Sequence, residues 1–237
     1  MLPNYFDKIY YINLDKHKDR LKHTLLQISK TSLKTHAKRF SAVNGSTIDI
    51  NNIDNLIITD NARKDILSGV QRTFGISLTF GALGCALSHK QIFEECEASN
   101  KPFLIFEDDF TIDHNFDNDL INVLNNIDSN YHILYLGFHN IPSAKTESIN
   151  DYISKPVGLT CGTYGYIISP PGAKLLLKYV FPMDCQIDSM MSKNLHRMNS
   201  YCSKKTLVHM PQNFESNTQR DISCINIHSD DWMRLFT

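Results

Sequence analysis

Short apolar runs alternate with stretches of helical periodicity along this chain. Lys8-Ile9-Tyr10-Tyr11-Ile12-Asn13-Leu14, rich in β-branched and aromatic residues, predicts a first strand. Leu21, Leu25 and Ile28 then recur at helical spacing, which predicts a helix to about Lys30 with Asp15 as its candidate cap. Residues 39–43 predict a second strand, halted by the turn dipeptide Asn44-Gly45. From 46 to 80 the pattern is polar and mixed, and only 62–69 reads as a short helix. A helix is expected over 84–99, with Leu87 and Cys96 among its apolar positions. Phe103-Leu104-Ile105-Phe106 then predicts a buried strand that stops abruptly at Glu107-Asp108-Asp109.

The second half continues the alternation. A helix is expected over 118–126, a strand over 131–137, a polar mobile loop over 139–155 and a strand over 165–169. Pro170-Pro171 opens a helix to about Val180, because proline suits a first helical turn. Asp188 falls near the start of another helix, Leu207 and Val208 belong to a late strand, and the tail from Gln212 is polar. Strands alternating with helices predict an α/β sheet fold. Without a repeat or a composition break, residues 1–237 read as one domain.

Composition narrows the classes. Apolar residues make up 42%, enough for a sizeable core, and a net charge of −1 argues against a general nucleic-acid footprint. No apolar run is long enough to span a bilayer. Met1-Leu2-Pro3-Asn4 lacks the basic and apolar blocks of a signal peptide, so a cytoplasmic protein is expected, with membrane contact through a lipid-linked acceptor left open. Six scattered cysteines without a CxxC pair are expected to be reduced thiols rather than disulfides or zinc ligands.

Four constellations could carry chemistry. Glu107, Asp108 and Asp109 repel one another at a strand end, which is where open α/β sheets bind ligands. They read either as a solvated acidic loop or as hard oxygen ligands for Mg²⁺ or Mn²⁺. Asn13, Leu14 and Arg20 lie at the first strand-to-helix junction, where donors and an Arg can hold phosphate or a base; alternatively Arg20 pairs with Asp15 or Asp19. Ser88 and His89 follow the glycines Gly81 and Gly84. Adjacent residues on a helix do not face each other, so they form no nucleophile–base pair, and a satisfied core histidine competes with a ligand role. Asp188, flanked by apolar residues, reads as a general base of raised pKa or as a helix N-cap.

Seven motifs in order resemble glycosyltransferase family 25, which includes lipooligosaccharide glycosyltransferases and procollagen galactosyltransferase domains. They are YYINLDKHKDR (10–20), FSAVNG (40–45), GALGCALSHKQIFEE (81–95), FLIFEDDF (103–110), YLGF (135–138), GTYGYIISPPGAKLLL (162–177) and QIDSMM (186–191). Many relatives carry an acid where Ala82 stands and Asp where Asn44 stands.

The resemblance implies a single GT-A-like, Rossmann-like nucleotide-sugar domain with a mixed, mostly parallel sheet. It implies that Glu107, Asp108 and Asp109 handle a cation, Mn²⁺ or Mg²⁺, and the nucleotide sugar, with Asp109 and Glu107 as metal ligands. Asn13, Leu14, Arg20, Asn44 and Gly45 would surround the nucleotide, Ser88 and His89 would wall the donor, and Gln212 and Asn213 would lie near the diphosphate. Asp188 would be the acceptor-side carboxylate. The implied reaction moves galactose or glucose from a UDP-hexose to a hydroxyl of a glycan or a collagen-like hydroxylysine acceptor. The alternatives are a catalytically inactive binding module that kept the fold, or a metal-dependent phosphohydrolase. The second would call for more His and Asp at ligand positions than this sequence places.

Overall fold

The computed structural model describes residues 2–69, 77–139 and 144–210. The first half runs β1 (Lys8–Asn13), α1 (Lys18–Ile28), β2 (Ala37–Ser41), α2 (Asp60–Ser68), α3 (Phe80–Glu97), β3 (Phe103–Phe106), β4 (Thr111–Ile112) and α4 (Phe116–Asn126). The second runs β5 (Ile133–Tyr135), β6 (Thr146–Ser148), β7 (Ile153–Pro156), β8 (Gly165–Ile168), α5 (Pro170–Val180), α6 (Ile187–Asn194), β9 (Ser200–Ser203) and β10 (Val208–His209). Eight strands form one mixed α/β sheet in the order β2-β1-β3-β8-β5-β9-β7-β6, and β10 pairs with β4 beside it.

The central strands are apolar throughout because both faces of the sheet are covered. Side chains alternate between the faces. Phe103 and Ile105 of β3 pack into one core with Tyr166 and Ile168 of β8 and the inner faces of α3 and α5. Leu104 and Phe106 pack into the other with Ile167 and with Phe116, Leu120 and Val123 of α4. Helix starts follow local chemistry: Thr79 accepts from the Ala82 amide at α3, and Ser169 from the Gly172 amide at α5.

Direction of pairing decides where the site falls. β1 runs parallel to both β2 and β3, so their carboxyl ends share one edge. β8 is antiparallel to β3, with Phe106 opposite Gly165. The segment leading into β8 therefore reaches the same edge that β3 leaves.

Several expectations are corrected. Asp15 does not cap α1; it pairs with Arg39 and accepts a 2.9 Å hydrogen bond from Ser41. The buried face of α1 is Arg20, Thr24, Gln27 and Ile28, while Leu25 is 49% exposed. The stretch expected as a loop over 139–155 contains the antiparallel pair β6–β7. α3 starts at Phe80, earlier than its apolar spacing predicted, because Thr79 caps it there.

Candidate active site

A cavity of about 260 Å³ opens at this edge. It is bounded by Leu14 beyond β1, Asn44 and Gly45 beyond β2, Arg20 of α1, Cys85 of α3 and the three acids beyond β3. The turn that carries the acids is held by two aromatic rings. Phe106 and Phe110, both fully buried, stack at 4.7 Å between ring centroids and pin the two ends of the Glu107-Asp108-Asp109 turn.

Each acid meets different partners. Asp108 is buried, lies 3.0 Å from the Arg20 guanidinium and accepts a 2.6 Å hydrogen bond from Asn13 Nδ2. Burial nevertheless raises its pKa against the pull of Arg20. Asp109 also pairs with Arg20, yet burial and the negative charge of Glu107 push its pKa up to about 7. Glu107 accepts hydrogen bonds from Thr163 Oγ1 and, at 3.3 Å, from His89 Nε2. Burial is the largest single influence and opposes its charge, but His89, Thr163 and Arg20 together outweigh it and hold its pKa below the usual range. One arginine facing three carboxylates leaves an excess of negative charge. A divalent cation would relieve it, and carboxylate oxygens suit Mn²⁺ or Mg²⁺. The donor set fits such an ion.

Three predicted site residues stand behind the cavity wall rather than on it. Asn13 is 1% exposed and ties Asp108 to the β1 end, while its own Oδ1 accepts from Arg39 Nε at 3.0 Å. Ser88 is fully buried; it accepts from the Val43 amide at 2.9 Å and donates to the Gly84 carbonyl at 2.8 Å, so it clamps the β2 exit onto α3. His89 is also fully buried, with Nδ1 2.7 Å from the Tyr166 hydroxyl. Its Nε2 faces Glu107, whose carboxylate can only accept, so that nitrogen carries the proton of the bond. Gly45 is dictated by closeness: a Cβ there would stand 1.6 Å from the Phe80 carbonyl oxygen. Asn44 caps the following 3₁₀ turn, its Oδ1 accepting from the Ser46 amide at 3.3 Å and from the Ser46 hydroxyl at 2.9 Å.

Asp188 sits in the first turn of α6, partly exposed, and is not its cap residue. It accepts from the amides of Ser189 at 2.7 Å and Gly162 at 3.1 Å. Burial raises its pKa, opposed by the charge of His139 and by those two amides. The next residue, Thr163, holds Glu107. One short segment, Gly162-Thr163, thus links Asp188 to the acids; Gly162 takes φ of +103°, a conformation that favours glycine. Sequence reasoning missed Thr163, Tyr166, Arg39 and Cys85 as parts of this arrangement. Thr163 and Tyr166 lay inside a quoted motif, but nothing in their type or spacing announces hydrogen bonds to residues 56 and 77 positions away. Gln212 and Asn213 lie outside the described residues.

The sequence model of the family described as "Glycosyltransferase family 25 (LPS biosynthesis protein)" matches residues 6–191. The chain belongs to glycosyltransferase family 25. The matched stretch includes every candidate residue above except Gln212 and Asn213. Among curated family 25 relatives, procollagen galactosyltransferase 2 of Homo sapiens is 27% identical over 73% of this chain and 27% of its own length. Procollagen galactosyltransferase 1 of Danio rerio is 28% identical over 87% of this chain and 34% of its own. A human relative named inactive glycosyltransferase 25 family member 3 is 28% identical over 73% of this chain and 29% of its own. The chain spans about a third or less of the length of these relatives.

Proposed function

We propose that this family 25 chain is a metal-dependent hexosyltransferase built as one catalytic domain. It moves galactose or glucose from a UDP-sugar to a hydroxyl of a glycan or of a collagen-like, hydroxylysine-containing acceptor. The observation that carries this reading is the cavity at the strand ends, walled by Asn44, Gly45 and Arg20 and by three carboxylates held in fixed, unequal environments. Asp109 and the oxygen of Glu107 turned away from Thr163 and His89 would hold Mn²⁺ or Mg²⁺. That ion would neutralise charge on the departing diphosphate. Asp108 is committed to Arg20 and Asn13, so it orients rather than ligates.

Asp188 takes the proton of the attacking acceptor hydroxyl. Its partly desolvated carboxylate is a stronger base than an exposed one, and the Gly162 and Ser189 amides aim it. His89 and Tyr166 keep Glu107 in place from behind. The test is UDP release from a panel of UDP-sugars, with and without Mn²⁺, against paired glycan and hydroxylysine-peptide acceptors. Acceptor-dependent UDP release that needs Mn²⁺ is expected, and Asp109→Ala should lose metal-dependent donor binding. Donor affinity that is unchanged in Asp109→Ala, with and without Mn²⁺, would sink the ligand assignment. A second reading is a binding module without turnover, favoured by the relative named inactive. It predicts donor binding with no UDP release under any acceptor.

A further inference from the structure

We propose that Cys85, His89 and Glu107 form a second cation site, one for a soft divalent ion such as Zn²⁺. Cys85 and His89 stand four residues apart on α3 and so share a helix face. Glu107 leaves β3 opposite them. One ligand atom from each of the three lies within 4.8 Å of the others. Thiolate, imidazole nitrogen and carboxylate are the ligand types zinc takes, and three protein ligands leave a fourth position open. Cys85 and Glu107 both line the cavity, so that position faces it. Manganese and magnesium prefer oxygen ligands, and a thiolate shifts selectivity toward zinc.

The imidazole is already oriented for this task. The Tyr166 hydroxyl lies 2.7 Å from Nδ1, the outer partner that metal-binding histidines typically have. Nε2, 3.3 Å from Glu107, is the nitrogen turned toward the cluster. On binding, the proton on Nε2 is displaced so that this nitrogen gives its lone pair to the metal, and the neutral ring keeps its proton on Nδ1, donating to the Tyr166 oxygen. Cys85 binds as thiolate and releases one proton to solvent. The cysteine spacing showed no zinc pattern because the third ligand comes from a different element, 18 residues beyond His89. Glu107 is shared with the carboxylate site of the proposed function. Zinc would therefore compete with Mn²⁺ for that side chain, a consequence that rests on the transferase reading; the binding itself does not.

The experiment titrates the intact chain with Co²⁺ as a spectroscopic stand-in for Zn²⁺. One equivalent should produce a thiolate-to-cobalt charge-transfer band and tetrahedral visible absorption, and Zn²⁺ should abolish both. Cys85→Ser and Cys85→Ala should lose the band while far-ultraviolet dichroism shows that they fold. Tyr166→Phe, which leaves all three ligands in place, should weaken Zn²⁺ binding about 10–100-fold. A band that survives in both Cys85 variants, or a wild-type spectrum showing only octahedral oxygen coordination, overturns the site. These readouts use neither donor nor turnover. Their failure leaves the transferase reading standing, and a Mn²⁺-independent Asp109→Ala result leaves the cobalt spectrum standing.

Discussion

At the scale of single residues, three neighbouring acids have been given three different jobs by their partners. Asp108 is fixed by Arg20 and Asn13, Glu107 by Thr163 and His89, and Asp109, also paired with Arg20, has its pKa pushed up to about 7 by burial and by Glu107. Asp188 differs again, because backbone amides rather than a cation aim it. On the proposed reading, Asp188→Asn should bind UDP nearly as well as the parent while turnover falls by roughly 10²–10⁴. Calorimetric UDP binding beside steady-state turnover checks this, and near-parental turnover eliminates Asp188 as the base. The same scale shows what a linear reading could reach. Residue types identified the acids and Arg20, because both carry a chemistry that is visible in isolation. They could not reveal that Arg20 pairs with Asp108 and Asp109 rather than Asp15, since that choice is made where α1 crosses the end of β3.

Among elements, a close fit occurs where the β2 exit rests on α3. A Cβ on Gly84 would stand 2.5 Å from the Val43 carbonyl oxygen, and one on Gly45 would meet Phe80 still more closely. Gly84→Ala should therefore cost about 1–3 kcal/mol of stability, read by urea unfolding. Because the same contact positions Asn44, donor affinity should fall in the variant that remains folded. Phe110→Ala removes the ring that stacks on Phe106 and should cost about 3–5 kcal/mol. An unchanged unfolding midpoint would show that the acid turn does not depend on that stack. Elements with strong apolar periodicity, such as β3, β8 and α5, were legible in sequence. β9, reading Ser200-Tyr201-Cys202-Ser203, was not, because its place in the sheet comes from pairing with β5 and β7 rather than from its own pattern. α1 was placed correctly and Ile28 is buried as its spacing suggested, but Leu25 is exposed and polar Arg20, Thr24 and Gln27 share the inner face.

The whole molecule adds an acid sensitivity away from the site. His132 Nδ1 accepts from the Asn199 amide at 2.9 Å, which requires the neutral ring, and burial lowers its pKa below 6.5. Between the two values the unfolded chain binds more protons than the folded one, so stability rises with pH there. The loss begins as pH falls below about 6.5 and is complete below the folded pKa. His132→Asn, which keeps an acceptor, should flatten the fall of melting temperature over that range; an unaltered profile would assign the sensitivity elsewhere. The sheet itself explains why one place serves both donor and acceptor. β8 runs against β3, so the Gly162-Thr163 approach to one strand sits beside the acidic exit of the other. Through it, Glu107 and Asp188 share a single mechanical support. Their energetic effects should then refuse to add: in a double-mutant cycle, Thr163→Val and Asp188→Asn together should slow turnover by less than the product of their separate losses.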